Sequence, residues 1–160
     1  MTEPDFTFFS TFNFELTLSD HGGGEKAALA TTAAFSAVSG LEVSLESVAL
    51  REGGYNAGER RLVGKTSHPA LVLKRGVTRD RGFWLWVQRC FDGTFPLPYV
   101  DGEVRVYPSD RRIMDEDAAT WRFRNGLATK VRSADLNAIS ATDVPIEELH
   151  IVHEHLERVR

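Results

Sequence analysis

The sequence predicts a mainly β fold with one helix. Two observations carry that class. Apolar and polar residues alternate with period two in six or more separate stretches, and only the stretch DRGFWLWVQRCF (80–91) has convincing helical spacing. The chain has 160 residues, 42 % hydrophobic and 26 % charged. That length suits a single domain spanning 1–160, with enough chain to bury its own core.

The first strand is read from Phe8, Phe12, Phe14, Leu16 and Leu18, which share one parity, with Thr11, Asn13, Glu15 and Thr17 on the other. It stops at Ser19-Asp20-His21-Gly22-Gly23-Gly24, a turn by composition. Residues 25–34 (EKAALATTAA) fit either a helix or an extended connection. Leu41, Val43 and Leu45 alternate with Glu42, Ser44 and Glu46 and predict a strand running on to Leu50, with the first three in the core. Residues 51–69 carry four glycines and a proline and read as one long polar loop. A loop longer than about 12–15 residues in a compact domain usually has a function of its own. Ala70–Arg75 reads as a strand.

Asp80 is placed to cap the helix, whose inner face is predicted to hold Phe83, Val87, Cys90 and Phe91. Trp84, Leu85 and Trp86 widen the apolar surface, so this helix needs cover on more than one side. After a turn at Asp92-Gly93 and a stretch through Pro96 and Pro98, strands are expected at Glu103–Tyr107 and from Arg112–Met114. Trp121 and Phe123 alternate with Arg122 and Arg124, in a strand continuing through Leu127 and Val131. The last strand, Ile146–His153, sets Leu149 and Ile151 opposite Glu148 and His150.

Composition narrows the function. One cysteine, Cys90, excludes an internal disulfide and a cysteine-built zinc site. No apolar run approaches the roughly 20 residues of a membrane helix, so no membrane anchoring is expected. The N-terminus has no basic region ahead of its apolar part, so no secretory leader is expected and the cytoplasm is the expected site of folding. A formal charge of −4 disfavours non-specific wrapping of nucleic acid.

Several motifs fail on inspection. GERRLVGKT (58–66) has five residues between its glycines where a phosphate loop needs four, and Pro69 blocks the helix that should follow. His21-Gly22-Gly23-Gly24 resembles an oxyanion loop, but the chain contains no G-x-S-x-G nucleophile turn. HIVHEH (150–155) spells neither zinc-helix motif, and on a strand His150 and His153 point to opposite faces. Cys90 sits on an apolar helix face, where free cysteine acts as a small hydrophobe. Lys74, Arg75, Arg79 and Arg81 read as a solvated face, or as one half of a charge-matched contact. The expectation is therefore no catalytic residue, no metal, no cofactor and no enzyme. Basic residues in the middle (Arg60, Arg61, Lys65, Lys74, Arg75) and acidic ones later (Asp101, Glu103, Asp110, Asp115, Glu116, Asp117) suit head-to-tail association into rings or stacks.

Four stretches then speak together: FSAVSGLEVSLESVALREGG (35–54), LVLKRGVTRDRGFWLW (71–86), WRFRNGLATKVRSADLNA (121–138) and VPIEELHIVHEHLER (144–158). Their order and wording resemble the tail tube protein family of contractile phage tails and extracellular contractile injection systems. Gly126-Leu127-Ala128 departs from the family's Ala-aromatic-Pro step, and His155 from its usual glycine. The resemblance implies a tail-tube or Hcp-like barrel of two packed antiparallel sheets flanked by one α-helix, forming rings. It implies homo-hexamers stacking into a tube within a sheath, on a baseplate, with DNA or protein cargo in the lumen. It places the mature assembly in a phage virion or an extracellular tail-like particle. On this reading Arg51, Glu52, Gly53, Gly54, Arg60, Arg61 and Lys65 make subunit or inter-ring contacts, with 51–69 as the reaching arm. Glu42, Ser44 and Glu46 face the lumen, and Phe83, Trp84 and Val87 pack the helix. The alternatives are a tube-initiating paralogue near the baseplate, or a small-molecule-binding β-barrel with an apolar cavity.

Overall fold

The structure is a computed structural model that describes residues 9–20, 35–77, 81–93, 95–108, 119–134 and 144–160. The expected strand at 112–114, the segment 25–34, the loop 21–24 and the cap at Asp80 lie outside the described residues. Nine strands and one helix are found: β1 Phe9–Asp20, β2 Ala37–Ser39, β3 Ser44–Leu50, β4 Arg60–Ser67, β5 Leu71–Gly76, α1 Gly82–Asp92, β6 Val100–Pro108, β7 Ala119–Arg132, β8 Ile146–Val152 and β9 His155–Arg158.

All pairings are antiparallel. Seven strands form one connected system, β1-β6-β7-β8-β5-β2, with β9 added to β7. Strand β7 belongs to two sheets. Its first part, Trp121–Arg124, pairs with β9 and faces β6, and its second part, Leu127–Arg132, pairs with β8. The strand changes sheet at Asn125-Gly126. Asn125 has φ 54° in the left-handed region, which its short polar side chain tolerates. Its N–H donates to Asp101 Oδ1 at 3.0 Å and its Nδ2 to Glu154 Oε2 at 2.6 Å. A Cβ at Gly126 would stand 2.8 Å from the Phe123 ring and 3.1 Å from Ile151, so glycine alone lets the bent strand close onto the core.

The bend folds the two sheets over one core. Leu16, Leu18, Val104 and Phe123 enter from one side and Leu71, Leu73, Leu149 and Ile151 from the other. Helix α1 adds Phe83, Trp86, Val87 and Cys90 to this cluster, at i, i+3, i+4 and i+7. The Trp86 indole N–H donates to the Pro98 carbonyl at 2.8 Å. Gly93, at φ 63°, ends the helix in the left-handed conformation. Phe91 does not join this face as expected. It lies one position past Cys90, rotated off the buried stripe, and is 54 % exposed, and Leu85 is exposed too. Trp86 fills the inward position instead. The two packed antiparallel sheets and single helix follow the expected class, although no ladder among the described residues joins β1 to β2.

Two charged residues occupy the core. Arg75 and Glu147 sit opposite one another in the β5–β8 ladder, at inward parity with Leu73 and Leu149. They are 2 % and 4 % exposed, and Arg75 Nε donates to Glu147 Oε1 at 2.6 Å. Trp84 Nε1 donates to the other carboxylate oxygen at 3.1 Å, and the guanidinium lies 4.0 Å from the centre of the Phe83 ring. Arg75 is therefore not on the solvated basic face predicted for it; Lys74, its neighbour of opposite parity, is exposed and pairs with Glu148 at 3.5 Å. Truncating one member of such a pair strands a buried charge and costs about 3–5 kcal/mol, whereas apolar replacement of both is often neutral. Glu147→Ala should lower unfolding stability by about that amount, and Arg75→Met with Glu147→Leu should recover most of it, both read by chemical denaturation.

Candidate functional site

Among the described residues, a two-stranded ribbon, β3 and β4, is left without cover. Its register pairs Leu45 with Thr66, Ser47 with Val63, Val48 with Leu62 and Leu50 with Arg60. No other described strand pairs with either of its strands. Cross-strand partners share a face, so Val48, Leu50 and Leu62 lie on one side and Leu45, Ala49 and Val63 on the other. Each face thus carries apolar side chains, interspersed with Arg60 on the first and with Ser47 and Arg61 on the second. Val63 is 78 % exposed, Leu45 57 %, and Val48, Leu50 and Leu62 are exposed as well.

This corrects two expectations. Leu41, Val43 and Leu45 do not form a buried row: only Leu41 packs on the core, and Val43 is 52 % exposed. Alternation reports which side of a strand is dry, but among the described residues no third layer supplies the cover. Residues 51–69 are not one loop either. Only 51–59 connect the strands, and Arg60–Ser67 is β4, which also removes the flexible-loop reading of GERRLVGKT. A bulge sets Gly64 and Lys65 against the single residue Glu46, and a Cβ on Gly64 would meet the Glu46 carbonyl at 2.8 Å.

The structure gathers Arg51, Glu52, Gly53, Gly54, Arg60, Arg61 and Lys65 on this ribbon and its tip, all exposed. The tip charges are paired within the chain: Arg51 with Glu59 at 2.8 Å and Arg60 with Glu52 at 2.5 Å, the Arg60 guanidinium lying 4.8 Å from the Tyr55 ring centre. Glu42, in the β2–β3 connection, accepts from Ser44 Oγ at 3.0 Å, and Glu46 is exposed on β3. In the helix, Phe83 and Val87 are buried, while Trp84 is half-buried against Glu147.

The ribbon joins the body at a tight corner. Gly40 has φ +89°, and a Cβ there would collide with the Ala70 carbonyl. The two legs of the ribbon therefore cross in direct backbone contact.

The outer face of the β1-β6-β7 sheet is wet and internally paired. Glu15, Thr17, Ser19, Asp101, Glu103 and Arg122 line a shallow polar trough. Glu103 accepts from Arg105 at 2.5 Å and from Arg122 at 3.1 Å. Burial alone would raise the Glu103 carboxyl, but these two guanidinium contacts outweigh it and hold the group below the ordinary carboxylate range. Tyr107 donates to Glu15 at 2.9 Å, and burial with that carboxylate pushes the phenol up. Arg124 pairs with Glu157 at 3.6 Å. Arg122 and Arg124 are thus engaged within their own subunit.

Of the tested chemical motifs, HIVHEH is split by a corner. His150, on the outer face of β8, contacts Glu148 at 2.7 Å, and this hydrogen bond, joined by Lys74, lowers the Glu148 pKa. Among the described residues no three His, Cys, Asp or Glu side chains are placed to hold a metal ion. Burial pushes the Cys90 thiol up, which disfavours the reactive thiolate. No helix among the described residues is long and apolar enough to cross a membrane. Sequence reasoning missed the two-faced ribbon, although its signal, Leu62-Val63 inside a polar stretch facing Val48 and Leu50, is legible once the strands are paired.

The sequence profile of the T4-like virus tail tube protein gp19 family matches residues 10–157. Among curated protein sequences, none matches significantly. In solved structures, a chain of the anti-feeding prophage baseplate superposes with TM-score 0.74 at 22 % identity, covering 99 % of this chain and 97 % of that one. A chain of an extracellular contractile injection system, the PVC sheath–tube complex in the extended state, gives TM-score 0.72 at 17 % identity, covering 96 % and 94 %. Hcp1 from Flavobacterium johnsoniae gives 0.51 at 14 %, covering 92 % and 95 %.

Glu103 sets the expected acid behaviour of the trough. A carboxyl depressed in the folded state stabilises above its unfolded value and loses that contribution as pH falls through the folded one. Glu103→Gln should therefore cost up to about 1 kcal/mol at pH 7, and the difference from the parent chain should vanish in denaturation curves taken well below pH 4.

Proposed function

This chain belongs to the T4-like virus tail tube protein family, and we propose that it stacks as six-membered rings into the inner tube of a contractile phage tail or contractile injection system. The observation that carries the ring-and-stack reading is the ribbon β3–β4. A two-stranded hairpin is marginal in water on its own, and this one exposes apolar side chains on both faces. Its five exposed large side chains are each worth about 1 kcal/mol if their remaining surface is covered, about 5 kcal/mol per ribbon. Copies of the same chain supply that cover on both sides. A subunit inserting its ribbon between neighbours makes a heterologous contact, which closes into a ring or propagates as a helix.

The free edges support the same reading. Strands β1 and β2 each pair on one side only among the described residues. Continuing the sheets from subunit to subunit removes both edges and the aggregation they invite. The tip, Arg51–Glu59, arrives at the next ring with its charges already paired. Glu42, Ser44 and Glu46, at the base of the ribbon, border the channel while Val48, Leu50 and Leu62 beyond them are covered, and among the described residues neither carboxylate pairs with a cation. Repeated around a ring, they form an acidic band that lets a polyanionic cargo slide. Sheath and baseplate proteins are the outer partners, assembly takes place in the cytoplasm, and the role is mechanical, without catalysis.

Electron microscopy of the purified full-length protein should show rings with six-fold class averages and stacks with an open channel. A stable monomer at high concentration, or another ring count, contradicts the proposal. Single rings that never stack would identify the tube-initiating paralogue. Val63→Glu, at an exposed position, should leave monomer stability within about 0.5 kcal/mol and abolish tubes; tubes of normal length from this variant would remove the ribbon from the interface.

A further inference from the structure

Three histidines meet where the ribbon joins the body. His68 lies in the β4–β5 connection, and His153 and His155 lie at the β8–β9 corner. The rings of His68 and His153 have centres 5.3 Å apart, and His155 stands edge-on to His68 at 6.4 Å. Phe123 covers His153 from the core side, with ring centres 5.7 Å apart. His68 Nδ1 and His153 Nε2 are buried, and neither has a hydrogen-bond partner among the described residues. Orphaned buried polar atoms of this kind are rare and call for a cause.

The tautomer of His153 follows from its surroundings. Its Nδ1 lies 3.2 Å from the His155 carbonyl oxygen, which can only accept, so Nδ1 carries the proton and Nε2 the lone pair. A neutral His68 with its proton on Nδ1 supplies the missing donor through one bridging water molecule. That match lasts as long as His153 Nε2 keeps its lone pair, whether or not His68 carries a second proton. When both rings are protonated they present N–H donors at every nitrogen and no acceptor between them, and two like charges face each other in a partly dry corner.

We propose that His68 and His153 form a proton-operated latch that holds the root of the ribbon to the body while both rings are neutral and releases it when both are charged. The surrounding charges favour this behaviour. On β9, Glu157 lies 3.7 Å from His155 Nε2, but Arg124 of β7 shares that carboxylate. Glu154 is held by Asn125. Neither His68 nor His153 is paired with a carboxylate among the described residues. Burial lowers the His153 pKa, backbone contacts from His155 and Pro69 oppose it, and the charge of His68 lowers it further. With the folded value depressed, the unfolded chain takes up the proton first, so the latch stabilises at neutral pH and weakens as pH falls through the ordinary histidine range near 6.5. The Gly40–Ala70 backbone contact joins the two legs just beyond His68, so release lets the ribbon pivot about that contact.

The proposal concerns the single chain and stands or falls independently of ring formation. Spin labels at Leu62→Cys on the ribbon and Gln88→Cys on the exposed face of α1, in a Cys90→Ser background, report the ribbon–body distance below assembly concentration. The distribution should be narrow at pH 7.5 and broaden at pH 5.0. His68→Phe removes both the donor and the charge, so its distribution should be the same at both pH values; His153→Phe gives the same reading if the first variant does not fold. An unchanged parent distribution between the two pH values overturns the latch, as does acid broadening that persists in the phenylalanine variants.

Discussion

An antiparallel ribbon with exposed apolar side chains on both faces is a structure that the described residues of its own chain do not complete. A sheet normally turns one face to the core and one to water. Here β3 and β4 turn both faces outward, beyond the reach of the α1 and β7 packing that seals the body. Other features of the molecule are consistent with a subunit whose last layer comes from elsewhere. Among the described residues the edges β1 and β2 are single-sided, the tip charges are paired internally, and the legs of the ribbon are pinned where Gly40 meets Ala70.

The body supplies the rigid half of that arrangement. Strand β7 runs through both sheets, so the bend at Asn125-Gly126 transmits the orientation of one sheet to the other without a loop between them. The Arg75–Glu147 pair, clasped by Trp84 and Phe83, ties β5 and β8 to the helix at the opposite end of β5 from the ribbon root. A buried ion pair contributes little net stability over an apolar pair, but here it links Arg75 and Glu147 directly across the β5–β8 register.

Period-two alternation made most of this legible. It located the cores of β1, β5, β6, β7 and β8, and helical spacing found α1. It misplaced Leu41, Val43 and Leu45 because alternation says that a face is dry without saying which chain dries it. It missed β4 because Arg60-Arg61-Leu62-Val63 pairs its residues by type instead of alternating, and glycine at 64 read as loop when it marks a bulge. It sent Arg75 to solvent because a charged residue at inward parity looks like the end of a strand until its partner, 72 positions away, is known. The family wording covered what periodicity could not, since four phrases in order specify a fold more tightly than any one pattern.

The central claim is that neighbouring copies bury the ribbon. Amide hydrogen exchange across residues 44–50 and 60–67, compared between unassembled chain and assembled particles, measures this directly. Exchange should be fast in the free chain, as expected for a two-stranded hairpin with few buried contacts. It should slow by about a hundredfold or more on assembly, while β7 and β8 change little. Equal exchange of the ribbon in both states would contradict the account.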